Sequence, residues 1–148
     1  MIMKQENKNI LLKDVCGRIP YNLKFLCGKN VYELDGIRQA VNNDGEWVHC
    51  FCAKGIEPIE IEFCKPYLFP MSSITEEQKY DFYCRFIEND CDFDDFKEFY
   101  FENNEWHKML TSIDDIEEII DWFNKNHFDY RCLIPKGLAT DSTNLNIY

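Results

Sequence analysis

The segment "NKNHFDYRCLIPKGLA", residues 124–139, sets His127, Asp129, Tyr130 and Arg131 within five positions. An imidazole, a carboxylate, a phenol and a guanidinium bring a titratable base, acceptor oxygens, an aromatic face and a cationic fork. Such groups hold an anionic molecule that carries an aromatic base. With Lys125 and Lys136 the segment has a local charge of +2, in a chain whose formal net charge is −11. A second stretch, "KPYLFPMSS" from Lys65 to Ser73, ends in two hydroxyls beside a helix-start signal, where backbone N–H groups favour phosphate or carboxylate. The expected ligand-binding set is therefore Lys65, Tyr67, Ser72, Ser73, His127, Asp129, Tyr130 and Arg131. Each stretch also has a plain structural reading. The first is then a cationic helix C-terminus followed by Tyr and Arg in structural hydrogen bonds, and the second a proline-bounded connection between strand and helix.

Other chemistries find less support. The chain has no G-x-S-x-G, P-loop, H-E-x-x-H or G-x-G-x-x-G motif. A hydrolase using His127 with Asp129 or Tyr130 ranks last, because positions i and i+2 do not face each other on a continuing helix and no nucleophile is marked. Asp90, Asp92 and Asp94 have the first three spacings of a calcium loop, but Asp95 stands where that loop needs Gly and Phe101 where it needs Glu. In "HCFC" a strand would turn Cys50 and Cys52 to one face and His49 to the other, and no second close pair follows. No metal, no cofactor and no catalytic residue is expected. The eight cysteines, in a chain without an export-type leader, are expected to be reduced and mostly buried.

Charge divides the chain. Residues 76–121 hold sixteen acids and four bases, a net of −12, while the remainder is near neutral. That balance argues against nonspecific nucleic-acid binding, which needs clustered Lys and Arg. It leaves room for a small anionic ligand elsewhere, and makes the acidic block a candidate decoy surface for a basic host protein. No apolar run approaches the ~20 residues of a membrane span. The expected setting is cytoplasmic, with no membrane and with a second copy of the chain as a candidate partner.

Positioning these residues falls to an α+β fold. Residues 10–18 read as a short N-terminal helix, stopped by Gly17 and Pro20, with Ile10, Leu11, Val15 and Leu12 on one side. Four short strands follow, in "YNLKFLC", "VYELDGI", "EWVHCFC" and "IEPIEIEFC", separated by turn signals at Gly28–Asn30 and Asn42–Gly45. They predict a small antiparallel sheet or half-barrel. Ser73 or Thr75 before two glutamates opens a helix, and Thr111 or Ser112 before Asp114 and Asp115 opens another. The stripe Ile113, Ile116, Ile119, Ile120 and Phe123 predicts the buried face of that second helix, which packs with the first on the sheet. The aromatics at 93, 96, 99 and 101 fit neither period, so residues 88–106 read as a strand or loop insertion. The expected organisation is a single domain over 1–140 with a loose polar tail, 141–148.

Three motifs, "KDVCGRIPYNLKF", "KPYLFPMSSITEEQK" and "FNKNHFDYRCLIPKGLA", together resemble a family of small uncharacterised proteins encoded by phages and prophages of gut Bacteroidales. Matching positions are Arg18, Pro20, Tyr21 and Lys24; Lys65, Pro66, Tyr67, Pro70, Met71, Ser72 and Ser73; and Asn124, Asn126, His127, Asp129, Tyr130 and Arg131. The chain departs with Asn22 and Cys132 where the pattern has Gly, and with Phe69 where it has Arg. The resemblance implies a setting: a phage accessory protein acting inside an infected bacterium. The leading expectation is an anti-defence protein that sequesters a small nucleotide-derived signal. The alternatives are the acidic decoy and the His127 hydrolase.

Overall fold

The computed structural model describes residues 2–87, 90–103, 105–108 and 116–148. Helix α1 (Gln5–Arg18) is followed by β1 (Lys24–Cys27), β2 (Asn30–Glu33), β3 (Gly36–Val41), β4 (Trp47–Cys52), β5 (Ile59–Glu60) and β6 (Cys64–Leu68). Helices α2 (Glu76–Phe86), α3 (Phe93–Lys97) and α4 (Ile116–Lys125) come next, and β7 (Thr140–Asp141) comes last. The fold is α+β.

The strands form two sheets rather than one small antiparallel sheet or half-barrel. One has the order β2-β1-β6-β7, the other β3-β4-β5. "IEPIEIEFC" is not one strand: β5 ends at Glu60, Ile61–Phe63 makes a 3-10 turn, and Phe63 is exposed. The turn lets the chain leave β4 and resume as β6 beside β1, which a straight strand could not do. The second predicted strand likewise divides into β2 and β3. Asn42 Oδ1 closes the β3–β4 hairpin by accepting from Asp44 N at 3.0 Å and Glu46 N at 2.9 Å.

Gly17 does not stop α1. A Cβ there would lie 2.8 Å from Asn124 Nδ2, so the glycine lets the end of α4 approach α1 closely. Thr75 caps α2 with a full capping box: its hydroxyl accepts from Gln78 N while Gln78 Oε1 accepts from Thr75 N. The predicted strand or loop at 88–106 is helical over Phe93–Lys97 and Glu98–Glu102, with turns on either side. Asp92 caps α3 by accepting from Asp95 N at 2.9 Å, and a π-turn over Glu98–Glu102 widens the spacing. Phe101 thereby meets Phe96 at 5.5 Å while Phe99 turns outward, so the aromatics fit no single period. The capping signal at Thr111 or Ser112 and the stripe position Ile113 lie outside the described residues.

Two apolar clusters fill the interior. Leu11, Val15, Phe25, Phe51, Ile61, Leu68 and Leu133 join α1 to both sheets. Phe82, Phe96, Ile119, Trp122, Phe123 and Phe128 form an aromatic second cluster among the later helices. On α4, Ile119 and Phe123 are fully buried, while Ile116 and Ile120 are half-buried at the margin. Of the eight cysteines, all unpaired, Cys50 and Cys64 are buried and Cys16, Cys84 and Cys132 are exposed, so the expectation of mostly buried thiols does not hold. The segment expected to be a loose tail is packed. β7 pairs in parallel with β6, Ser142 is buried, and Tyr148 Oη donates to Tyr67 O at 2.8 Å. Backbone pairing and the Tyr148 hydroxyl hold it, and neither depends on a run of apolar residues.

Candidate functional site

The post-helix segment is tied to the second motif by backbone. Phe69 N donates to His127 O and Asp129 N to Phe69 O, both at 2.8 Å. The first motif reaches the same place. Arg18 binds Asp14 through Nε at 2.7 Å and Nη2 at 3.0 Å, and the same Nη2 donates to Phe128 O at 2.7 Å. Both charges are fully buried. Such a pair is costly to desolvate and more costly to break, which makes Asp14–Arg18 the polar centre where the three motifs meet.

This junction uses most of the polar groups in "HFDYR". Asp129 accepts from Leu133 N at 2.7 Å and Ile134 N at 2.8 Å, holding the turn that follows. Burial raises its carboxyl above the usual range, and those two bonds oppose the rise. Tyr130 is buried, stacked on Phe123 at 5.5 Å, with the Arg18 and Arg131 guanidinium carbons 5.3 and 5.0 Å from its ring centre. A ring so engaged has no open face for a base, so the expected stacking role of Tyr130 is not met. His127, at φ 59°, stacks on Tyr148 with centroids 3.8 Å apart and planes 11° apart. Burial, helped by the Arg18 charge, lowers its pKa to about 4. It is therefore a neutral packing residue at neutral pH.

What remains faces an open cleft of about 580 Å³, walled by Pro70, Met71 and Ser72, by Trp106 and His107, and by residues 129–132 and 134–136. Of the expected site residues, Ser72, Asp129, Tyr130 and Arg131 line it together. Arg131 is partly exposed, with Nε 3.5 Å from Asp14 Oδ1, so the buried carboxylate anchors one edge of its guanidinium. Lys65 is exposed on β6 and does not line the cleft; Tyr67 is buried under the last residues of the chain. Ser73 donates its hydroxyl to Pro70 O at 2.7 Å and lines a separate cavity with Phe69 and Thr143. His127 is likewise absent from the cleft lining.

Trp106, His107 and Asp14 were not singled out from sequence. Trp106 and His107 belong to the acidic block, whose composition hid them. Asp14 and Arg18 have the i,i+4 spacing of a helical ion pair, a signal that says nothing of burial. Among the described residues, no cluster of three or more His, Cys, Asp or Glu is placed to hold a metal ion, and no helix is long and apolar enough to cross a membrane. No family model matches the chain, and neither a curated protein nor a solved structure matches it.

Proposed function

We propose that this chain is a phage-encoded accessory protein that binds and holds a small anionic, nucleotide-like ligand in the cleft, withdrawing a host signal rather than transforming it. One observation carries the reading. Arg131, Lys136 and His107 line one cavity with Ser72 and Trp106, in a chain that is otherwise strongly acidic. A cationic fork with a hydroxyl suits phosphate oxygens, and an indole suits a base. The phage setting rests on the resemblance.

The test has two parts. Mass spectrometry of what the protein carries out of infected cells should find a phosphate-bearing nucleotide. Titration with ribonucleoside monophosphates, diphosphates and cyclic phosphates should show Arg131→Ala weakening the best of them ten- to a hundred-fold, roughly 1.5–3 kcal/mol for a charge-assisted contact. A folded Arg131→Ala chain that binds with unchanged affinity ends this reading.

The decoy reading keeps one observation of its own. Asp90, Asp92, Asp94, Asp95, Glu98 and Glu102 are all exposed along α3 and its flanks. Replacing Asp90, Asp92, Asp94 and Asp95 by Asn abolishes activity under that reading and spares it under the cleft reading.

A further inference from the structure

β1 lies between β2 and β6, so its residues turn their backbone groups alternately to the two neighbours. Leu34 N donates to Leu23 O at 2.8 Å, which starts the β1–β2 ladder on a hydrogen-bonded pair. Counting along the register, Phe25 opposite Tyr32 and Cys27 opposite Asn30 also bond toward β2. Leu26 is left to bond toward β6, opposite Lys65. The partner strand agrees independently, since Pro66, opposite Phe25, has no N–H to give. Cys27 and Cys64 are therefore a directly opposed, non-hydrogen-bonded pair.

That pair type brings Cα atoms closest, to ~4.5 Å, within the roughly 4.4–6.8 Å that a disulfide spans. The Cys64 thiol donates to Glu60 O at 3.6 Å, within its own strand connection, and has no backbone ladder bond between it and Cys27. Cys64 is fully buried and Cys27 partly exposed, so solvent reaches the pair through Cys27.

We propose that Cys27 and Cys64 form a modification site, a cross-strand thiol pair that a hydroperoxide converts into a disulfide bridging β1 and β6. The Cys27 sulfur attacks the peroxide oxygen; the S–O bond forms, the O–O bond breaks, and the first water leaves with the Cys27 proton when hydrogen peroxide is the oxidant. The Cys64 sulfur then displaces the oxygen of the Cys27 sulfenic acid; the S–S bond forms, the S–O bond breaks, and the Cys64 proton leaves in the second water. The thiols lose two electrons and the peroxide gains them. Cys64 is fully buried and burial pushes its thiol up, so the partly exposed Cys27 is the one that meets the peroxide first. β6 runs on through Phe69 to the Pro70–Ser72 wall of the cleft, so the bridge ties that wall to β1.

The full chain, reduced and freed of reductant, is exposed to hydrogen peroxide and mapped by mass spectrometry without reduction. The expected result is a loss of two hydrogen masses, a Cys27–Cys64 cross-link, and reversal by dithiothreitol. Cys27→Ser, at a partly exposed position, should abolish the link while the circular dichroism stays native, and Cys50→Ser should leave it. The proposal is overturned if the exposed Cys16, Cys84 and Cys132 oxidise while Cys27–Cys64 stays open, if Cys64 links to Cys50 instead, or if the link forms only in guanidinium.

Discussion

Acid should weaken this fold through one side chain. His127 is buried against Tyr148, and its pKa is lowered to about 4 from an ordinary 6.5, first by burial and then by the Arg18 charge. Between those values the unfolded chain holds a proton that the folded chain refuses, so stability rises with pH across the window. The contribution is fully present above pH 6.5 and is lost as pH falls toward 4. At 1.36 kcal/mol per unit the difference comes to about 3 kcal/mol. Asp129, whose carboxyl is raised, acts in the opposite sense, losing stability as pH rises from the ordinary aspartate range. A comparison that cancels it is therefore needed. His127→Asn keeps a residue that tolerates the positive φ of 59° and removes the titrating ring. Urea denaturation of both chains from pH 7.5 to 3.5 gives the difference in unfolding free energy. It should be flat above pH 7 and fall by about 3 kcal/mol before levelling near pH 4. A difference that does not change with pH would refute the reasoning, since the folded ring would then titrate as it does in water.

Phe123→Ala removes a fully buried ring that stacks with Phe82 and Tyr130, and should cost about 3–5 kcal/mol by urea denaturation. Asp14→Asn leaves the Arg18 charge buried without its counter-ion and should cost about 3–5 kcal/mol. A loss under 1 kcal/mol would show that water reaches the pair. Cys132→Gly, at φ 58°, should raise stability by about 1 kcal/mol, and Asn22→Gly, at φ 55°, by less, because Asn tolerates the left-handed region. Equal gains by thermal melting would contradict that ranking.

Locally determined features were legible in the sequence. The Thr75 capping box, the Asn42 turn and the buried Ile119–Phe123 face of α4 all follow from chemistry within a few positions. Ser72 and Arg131 share a cleft, but only the packing of distant segments brings them there. Tertiary structure alone decided which polar groups are left for a ligand. Arg18 reaches Phe128 O across 110 positions, and Asp129, Tyr130 and His127 are taken up by backbone donors and by aromatic rings. No spacing rule encodes such contacts, because the partner of each group is set by how sheet and helices pack. The same holds for the division into two sheets and for the parallel β7. A polar strand of two residues has no hydrophobic pattern to announce it, and forms because β6 offers an unpaired edge.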